Sequence, residues 1–407
     1  MHILLIHQAF AALDEAGGTR HHELAHYLVE NGHRVTVITS PVSYLSGQQQ
    51  RKSRWIEKTI DSSGVTILRT YTYPALHRSF VHRVISFFSF MISSFGAGMG
   101  VRKVDLVWGT SPPIFQGFTA WLVSRIKRVP FLFEVRDLWP AFAIAVGVLR
   151  NPWLIKASLW LESFLYKHAD RIIVNSPGYV DHVAARGGRG IVLIPNGADS
   201  AMFTRGGKGE DFRREHGLDG KYLAVYAGAH GLSNDLDVVL QAARLLADRP
   251  EICFVLVGDG KEKPRLQAAA TELDLQNLVF IPPVPKNGMP QVLAAADACI
   301  AILKPLELYK TTYPNKVFDY MAAGRPVVLA IDGVIRRVVE DAGAGIPVEP
   351  GNPQALAGAI LKLALDDRHG GDLGHNLGLA GREYVEKNFS RAASAGKLVA
   401  LLEELGG

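Results

Sequence analysis

The chain has 407 residues, too many for one ordinary hydrophobic core, so its length favours two or three domains. Hydrophobic residues make up 48% and charged residues 20%, a composition typical of a folded globular protein. The net charge of +5 and the pI near 9.1 are too mild to predict nucleic-acid binding without basic clusters or aromatic platforms, although weak attraction to anionic phosphates or lipid stays open.

The cysteines and the N-terminus bear on the compartment. Cys253 and Cys299 each lie in an apolar, strand-like run, which predicts buried free thiols in a reducing environment and excludes a disulfide framework or a zinc site. The first residues, MHILLIHQAF, show neither a basic leader nor a small-residue cleavage site. We therefore expect a cytoplasmic protein.

The first half of the chain predicts a doubly wound parallel sheet. Strand-like residues 2–7 and 34–39 flank a helical stretch and complete a βαβ unit whose first turn contains Gly17 and Gly18. These glycines let a backbone approach a ligand closely, but they are not a GxGxxG fingerprint. Further strand-like runs alternate with helical stretches at 65–69, 104–108, 131–135, 171–174 and 191–194.

One strand end carries an unusual set of charges, in the stretch EVRDLWP. Glu134, Arg136 and Asp137 end a buried strand beside Trp139. Charged groups at that edge are costly unless they are paired or functional. Two interpretations stay open: an ion pair of Arg136 that closes the strand end, or a role in a site.

An uncharged run, Val84 to Val101, lies between Arg83 and Arg102. Its length touches the lower bound for a membrane span, but its serines and glycines make it a poor one. A buried domain helix and a surface helix in peripheral contact with the inner membrane are the other interpretations. The upstream His77, Arg78, His82 and Arg83 favour the surface helix near anionic lipid, unless they are an ordinary solvated helix start.

The second half begins with a polar, glycine-rich stretch at 204–220, which predicts an interdomain linker. Strand-helix alternation then resumes. Strands at 222–226, 252–257 and 278–281 each lead into a glycine or proline loop. Since the carboxyl ends of parallel strands meet at one edge, these loops and the one after the next strand are expected to converge there.

The fourth of these loops lies in the stretch from Lys304 to Leu329, which predicts strand, loop, helix and strand. The helix beginning near Pro314 would present free N–H groups and a positive dipole end to an anion, with Lys310 and Lys316 beside it. Asp319 could accept hydrogen bonds from sugar hydroxyls. Together they predict a nucleotide site; the alternative is an ordinary capped helix with solvated lysines.

The motifs occur in the order Gly17-Gly18, Pro195-Asn196-Gly197, the Tyr226 to Gly231 turn, Gly258-Asp259-Gly260 and PNKVFDYMAAGRP from Pro314. In this order the chain resembles the family 4 retaining glycosyltransferases, and EVRDLWP resembles the bacterial polysaccharide and lipopolysaccharide branch related to N-acetylfucosamine transferases. The resemblance implies an α/β, GT-B fold with two Rossmann-like domains facing across a cleft. It also implies an acceptor-binding domain at 1–200, a donor-binding domain at 201–388 and a helix at 389–407 that crosses back to the first domain.

The resemblance implies the donor contacts as well. Asp319 would hold the ribose diol, and the Gly17-Gly18 turn would close on the diphosphate and sugar. The other implied donor-binding residues are Gly228 and His230 in the first turn of the second domain, Gly258, Asp259, Gly260, Val284 and Pro285 around the base, and Thr311, Thr312, Tyr313, Pro314 and Asn315 around the diphosphate and sugar.

The sequence departs from the family pattern in three places. The paired glutamates fall on Thr311 and Asp319, and Glu307 is a nearby substitute for the first. The phosphate-binding Arg and Lys correspond to Ala229 and about Asn234, which leaves Lys310 and Lys316 to meet the diphosphate charge. The acceptor-domain histidine aligns with Arg136 or Asp137, so we expect those two to take its place or the role to be dispensable.

Retention without an evident nucleophile fits a front-face mechanism in which the leaving diphosphate takes the acceptor proton, and Lys310 and Lys316 then stabilise its charge. This mechanism needs neither cofactor nor metal. The DxD sequence at Asp235–Asp237 starts a predicted helix, where capping explains it better than metal binding.

The sequence therefore predicts a retaining glycosyltransferase that moves a sugar of HexNAc or deoxy-HexNAc type from a UDP-linked donor. Its acceptor would be a lipid-linked or polysaccharide glycan at the inner face of a bacterial membrane. Two other classes stay open. A UDP-sugar 2-epimerase of the same fold would need general bases such as His230 and Asp137, and a catalytically silent nucleotide-sugar-binding subunit would fit the missing glutamate and cations.

Overall fold

The computed structural model describes residues 1–15, 17–42, 49, 55–74, 80–203 and 209–406. The chain divides into two compact units. The first consists of Met1–Leu13, Gly17–Pro195 and Ala392–Gly407, and the second of Asn196–Arg391 with the short segment Asp14–Ala16. Residues 204–208 of the expected linker, and the basic His77 and Arg78, lie outside the described residues.

The first unit is a doubly wound sheet in which parallel strands alternate with helices, as the sequence predicts. Its sheet has the order β3-β4-β2-β1-β5-β6-β7-β8, with β3 antiparallel to β4 and the other pairs parallel. The elements are β1 (His2–Ile6), α1 (Arg20–Glu30), β2 (Arg34–Thr39), β3 (Ile56–Ile60), β4 (Thr66–Thr70), α2 (Phe80–Gly100), β5 (Leu106–Ser111), α3 (Ile114–Lys127), β6 (Phe131–Val135), α4 (Ala141–Ala145), α5 (Pro152–His168), β7 (Arg171–Val174), α6 (Val180–Ala185) and β8 (Ile191–Leu193).

Helices cover both faces of this sheet. Because side chains alternate along a strand, Trp108 of β5 belongs to the core under α1, whereas the next residue, Gly109, lies against Ala120 of α3. On that second face α3 packs between α2 and α5. The central strands β1, β5 and β6 are buried on both sides, which explains their near-continuous apolar sequences.

The edge strand β3 was not predicted from the sequence. Its residues IEKTI alternate between exposed and half-buried, as expected for a strand at the edge of the sheet that pairs with β4. An edge strand of this kind lacks the continuous apolar run by which the central strands were recognised.

The second unit repeats the architecture. Its sheet has the order β11-β10-β9-β12-β13-β14 with all pairs parallel. The elements are α7 (Gly209–Glu215), β9 (Tyr222–Ala227), α8 (Leu236–Leu245), β10 (Ile252–Val257), α9 (Lys263–Glu272), β11 (Leu278–Ile281), α10 (Met289–Ala295), β12 (Ala298–Ile302), α11 (Asn315–Ala322), β13 (Val327–Ala330), α12 (Val334–Asp341), β14 (Gly345–Pro347), α13 (Pro353–Arg368) and α14 (Leu373–Asn388).

The second unit has a core on each face of its sheet. Leu223 and Val225 of β9 pack with α10, α11, α12 and α14, whereas Ala224 and Tyr226 pack with α8, α9 and α13. Both thiols are buried and free, as predicted. The stretch predicted as a linker is in part helical, since α7 begins at Gly209 and buries Phe212.

The last helix, α15 (Arg391–Gly406), belongs to the first unit. Its residues Leu398, Leu401 and Leu402 are buried in the same core as Ile3 and Leu5 of β1, and Leu405 packs against that core. The expected return of the C-terminal helix to the N-terminal domain is therefore confirmed.

The uncharged run forms α2, which is longer than predicted and buries only one side. Ser86, Phe90 and Ser94 are buried, whereas Ile85 and Ile92 are exposed. Among the described residues no helix has the length and apolarity needed to span a bilayer. The interpretation of α2 as a membrane span is therefore wrong.

Candidate functional site

The glycine loops of the second unit converge at the carboxyl edge of its sheet, where the sequence placed them. An added Cβ on Gly258 would overlap the carbonyl oxygen of Gly228, and one on Gly260 would overlap that of His230. Gly258 has φ +147°, a value that side-chain-bearing residues rarely adopt. The loops after β9 and β10 are therefore packed backbone on backbone, and glycine is required for that approach.

Lys316 of α11 reaches into this cluster. Its Nζ lies 3.7 Å from the centroid of the Tyr226 ring, and an added Cβ on Gly228 would lie 2.6 Å from that Nζ. Nζ is buried and has no hydrogen-bond partner among the described residues. Burial lowers the pKa of Lys316 to about 7, because an ammonium group without an anion loses hydration here.

His230 lies beside the same loops and is fully buried. Burial, together with the charges of Lys263 and Lys316, lowers its pKa to about 4. Its backbone N–H donates to the Asp259 carbonyl at 2.8 Å, while neither ring nitrogen has a partner within the described part of the chain. A neutral imidazole at neutral pH fits a hydrogen-bonding role better than that of a charged phosphate ligand.

Asp319 lies one turn into α11 and is 8% exposed. Its Oδ2 accepts from Lys286 Nζ at 2.6 Å and from Asn315 Nδ2 at 3.2 Å. Its Oδ1 is buried and, in the described residues, has no partner. One carboxylate oxygen is therefore fixed by a lysine that the sequence analysis did not identify, and the other is left as a hydrogen-bond acceptor.

The segment before α11 contains the other predicted diphosphate-binding residues. Pro314 occupies the N-cap position of α11, and the carbonyl of Tyr313 accepts from Asn196 Nδ2 at 2.8 Å. The hydroxyl of Thr311 donates to the Leu308 carbonyl, and Thr312 follows in extended conformation.

Lys310 differs from Lys316 in its surroundings. Its Nζ makes an exposed ion pair with Glu307 at 2.6 Å, and this contact raises the pKa of Lys310. The structure thus gives Lys310 a carboxylate partner, whereas Lys316 lies among the glycine loops.

The predicted base-binding residues lie in two neighbouring loops. Asp259 Oδ1 accepts from the Gly260 N–H at 2.8 Å, which fixes the turn after β10. Val284 and Pro285 follow β11, and Pro285 precedes the 3₁₀ turn that carries Lys286. Because β10 and β11 are paired in parallel, both loops leave the same edge of the sheet.

In the first unit a buried charged cluster occupies the carboxyl edge of the sheet. Glu134, with no exposed surface, accepts from Arg20 Nε at 3.0 Å and from His21 Nε2 at 2.7 Å. Burial opposes ionisation of Glu134, but His21 and Arg20 together hold its pKa well below its ordinary value. The strand-end ion pair thus joins Glu134 to Arg20 of α1, a pairing that differs from the one considered from the sequence.

Arg136 lies between two histidines of this cluster. Its Nη1 is 3.0 Å from His7 Nε2 and 3.5 Å from His21 Nδ1. Since guanidinium groups only donate, both ring nitrogens must be acceptors. The proton of His7 is then on Nδ1, 2.8 Å from Thr110 Oγ1, and that of His21 on Nε2, toward Glu134. Burial lowers the pKa of both histidines, in agreement with neutral rings.

Asp137 follows Arg136 directly. Burial raises its pKa to about 7, although the neighbouring guanidinium opposes the rise. Asp137 therefore titrates in the physiological range.

Gly17 and Gly18 precede α1 and are exposed. An added Cβ on Gly18 would meet nothing within 4 Å, whereas Gly17 lies against Ala11.

The DxD sequence does not cap its helix. Asp235 occupies the N-cap position of α8 but makes no side-chain capping bond, and Asp237 is held by both Nη atoms of Arg265 at 2.9 and 2.7 Å. The capping explanation is wrong, and an ion pair replaces it. Within the described ranges no three His, Cys, Asp or Glu side chains gather as metal ligands would.

Both halves of the chain match models of glycosyltransferase families. Residues 16–197 match the model described as glycosyl transferase 4-like domain, and residues 221–366 match the one described as glycosyl transferases group 1. The chain is 24% identical over 383 residues to the putative colanic acid biosynthesis glycosyl transferase WcaI of Escherichia coli K12, a match that covers 91% of each chain.

Solved structures share the fold. A sucrose-phosphate synthase from Thermosynechococcus elongatus superposes with a TM-score of 0.78 at 20% identity, covering 99% of this chain and 98% of that one. HepE of Anabaena, in complex with UDP and glucose, gives 0.74 at 16% identity, covering 99% of this chain and all of that one. These neighbours, with the two Rossmann-like sheets, confirm the predicted GT-B fold class.

Proposed function

We propose that this chain, which joins a glycosyl transferase 4-like domain to a glycosyltransferase group 1 domain, transfers a sugar from a UDP-linked donor with retention of anomeric configuration. The proposed acceptor is a lipid-linked or polysaccharide glycan of the bacterial cell surface. The proposed sugar is of HexNAc or deoxy-HexNAc type, as the resemblance of EVRDLWP to the N-acetylfucosamine transferase branch implies.

The observation that carries the proposal is the buried ammonium of Lys316. A buried charge without a hydrogen-bond partner in the described residues costs free energy in the free protein, and a bound anion would offset that cost. Lys316 lies in the first turn of α11, whose free backbone N–H groups favour a nearby negative charge. A diphosphate bound at this helix end would contact both.

The chemistry follows from where charge develops. As the bond between the anomeric carbon of the sugar and the diphosphate of the donor breaks, negative charge grows on the leaving diphosphate oxygen. That oxygen then accepts the proton of the attacking acceptor hydroxyl. Lys316 and the α11 amides would stabilise this charge more in the transition state than in the ground state. Losing one such donor typically lowers the rate by a factor of about 100 to 1,000.

The ribose and base contacts extend this site. Asp319 Oδ1 would accept from a ribose hydroxyl while Oδ2 keeps its ion pair with Lys286. The loops at Gly258 to Gly260 and at Val284 and Pro285 would border the base. Uracil as that base is supported by HepE, which has the same fold and was solved in complex with UDP and glucose.

For the first unit we propose that Arg136 and Asp137 act on the reacting sugar and the acceptor. Arg136 is held by two neutral histidines, so its charge is positioned without being cancelled by them. Asp137 can change protonation near neutral pH. We propose Lys310 only as a secondary contributor, because its charge is already shared with Glu307.

The test begins with calorimetry of the purified chain against UDP, GDP, ADP and UDP-HexNAc sugars, with and without chelator. If one nucleotide binds and the chelator does not change its affinity, the corresponding donor is used in a transfer assay with a prenyl-diphosphate sugar acceptor. NMR of the product then determines its anomeric configuration. Conversion of a UDP-HexNAc without acceptor would favour the epimerase. Binding without turnover on any acceptor would favour the silent subunit.

A further inference from the structure

One side of helix α2 exposes large apolar side chains to solvent. Val81, Ile85, Phe88 and Ile92 are 63%, 44%, 47% and 68% exposed. They recur at the helical spacing i, i+4, i+7 and i+11, so they form one stripe along the helix. The opposite side of α2 is already buried against the sheet and α3. This stripe therefore does not contribute to the core of the unit.

Helix α5 exposes a second apolar stripe. Trp153 and Trp160, seven residues apart and thus on one side of the helix, are 78% and 62% exposed, and Leu154 is 43% exposed. Exposed tryptophans are unusual on a protein surface, since each leaves a large apolar area in water. A partner that buries them would remove that area.

Half-buried aromatic rings of α3 connect the two stripes. Phe88 of α2 lies 5.3 Å from Phe115. On the same helix Phe118 lies 5.4 Å from Trp121. Phe164 of α5 lies 4.7 Å from Trp121 and stacks on Trp160 at 5.3 Å. We call the outer sides of α2, α3 and α5, from Val81 to Trp160, the three-helix surface.

The exposed charges of α2, α3 and α5 have one sign. Helices α2 and α3 contain no acidic residue, and the one in α5, Glu162, is fully buried in an ion pair with Arg186 at 2.9 Å. Lys156 and Lys167 of α5 are exposed. Asp170, just beyond α5, is paired with Arg125 of α3 at 2.8 Å. The three helices thus expose cations and aromatic rings but no carboxylate.

We propose that the three-helix surface docks on the lipid–water interface of a membrane that contains anionic phospholipid. Tryptophan side chains favour that interface, because their rings are apolar while the indole N–H still finds a hydrogen-bond partner. Lysines bury their aliphatic stems beside such rings and keep the ammonium near phosphate. A second copy of this chain would bring like charges together, so the sign of the charge favours lipid.

Docking through this surface does not require the proposed transferase activity, but it would place the first unit where a lipid-linked acceptor is found. It also changes the assignment made from the sequence, because the contact involves α5 and α3 as well as the uncharged run in α2.

The experiment is sedimentation of the full chain with vesicles of phosphatidylcholine alone and of phosphatidylcholine with phosphatidylglycerol. We expect binding to the anionic vesicles that weakens as NaCl rises from about 0.1 M to about 1 M, where the Debye length falls to roughly a third. The variant Trp153→Ser with Trp160→Ser should lower the partition coefficient about tenfold or more. Lys156→Glu should lower it about fivefold or more.

The matched control is Trp55→Ser. Trp55 is 67% exposed on the same unit but precedes the edge strand β3, outside the three-helix surface. Equal losses from Trp55→Ser and from the double variant would overturn the proposal, as would equal binding to neutral and anionic vesicles. So would a dimer in solution that the double variant abolishes without any vesicle binding by the parent chain.

UDP-sugar binding, measured without vesicles, separates this proposal from the proposed function. A double variant that binds donor normally but not vesicles supports the docking surface. Loss of both properties together with a lowered melting temperature indicates that the double variant is misfolded. In that case the variant Ile85→Ser with Ile92→Ser on α2 is tested instead. Loss of vesicle binding by that folded variant supports the proposal, and normal vesicle binding overturns it.

Discussion

Substituting methionine for Lys316 tests the donor site most directly. The pKa of Lys316 is about 7 in the free protein because its Nζ is buried without an anion. A diphosphate charge at about 4 Å contributes roughly 4 kcal/mol at an effective dielectric constant of 20, which equals about three pK units. Donor binding should therefore return the pKa close to the ordinary value of 10.5.

The consequence is proton uptake on binding. At pH 7 about half of the free protein lacks the Lys316 proton, so each bound donor should take up about half a proton; at pH 8 the uptake approaches one. Since the bound state holds more protons, affinity should fall as pH rises, by up to about tenfold per unit above pH 7. Lys316→Met should show neither effect.

The assay is titration calorimetry with a UDP-sugar in buffers of different ionisation enthalpy. A UDP-sugar is preferable to UDP, since the terminal phosphate of UDP itself titrates near pH 6. Lys362→Met, at an exposed position of α13, is the matched control. Asp137→Asn should retain the uptake, although Asp137 also titrates near pH 7. The reasoning is refuted if Lys316→Met takes up as many protons as the parent chain.

The same substitution should stabilise the free protein. The folded pKa of Lys316 lies below its unfolded value, so the buried ammonium is destabilising at pH values below 7 and the penalty vanishes by about pH 10.5. Its upper bound is about 5 kcal/mol. Lys316→Met should therefore raise the melting temperature most at pH 6 and little at pH 10. A variant that binds donor more weakly but is more stable is the expected combination for a functional charge.

Three further predictions concern other parts of the two units. Asp319→Asn should weaken UDP binding about tenfold or more in calorimetry. We expect 2′-deoxy-UDP to bind the parent chain more weakly than UDP does, but to bind this variant as UDP does. Glu134→Gln should cost about 3–5 kcal/mol in urea unfolding at pH 7. Because the folded pKa of Glu134 is depressed, the variant should also lack the share of the acid-induced loss of stability that we expect from Glu134 below the ordinary carboxyl pKa of 4.5. Gly258→Ala should lower donor affinity and melting temperature because its Cβ overlaps the Gly228 carbonyl, whereas Gly358→Ala on α13, where nothing lies within 4 Å, should leave donor affinity unchanged.

The sequence located the central strands and the glycine loops because both depend on local patterns. The strands at 34–39, 131–135, 171–174, 252–257 and 278–281 have the predicted bounds. A continuous apolar run between turn residues is enough to recognise such a strand. The convergence of the loops at one edge then follows from parallel topology, without knowledge of any side-chain contact.

The charged partners could not be predicted in this way. Glu134 is paired with Arg20 and His21, which lie 114 and 113 residues away, and Lys286 is 33 residues from Asp319. Such pairs depend on which helix start meets which strand end. For His21 a local signal did exist, because helical spacing places it on the same side as Leu24 and Leu28, which are buried.

The three-helix surface illustrates why a search for uncharged runs selects only part of a surface that we propose binds lipid. That search selects α2 and passes over α5, whose sequence PWLIKASLWLESFLYKH is interrupted by lysines and a glutamate. At an interface, however, tryptophans next to lysines are the expected composition, and the glutamate is turned inward to Arg186. The spacing of Trp153 and Trp160 and the sign of the exposed charges together indicate such a surface on α5, whereas the mean hydropathy of the helix does not. Whether both helices contribute to vesicle binding therefore tests the composition argument separately from the hydropathy argument.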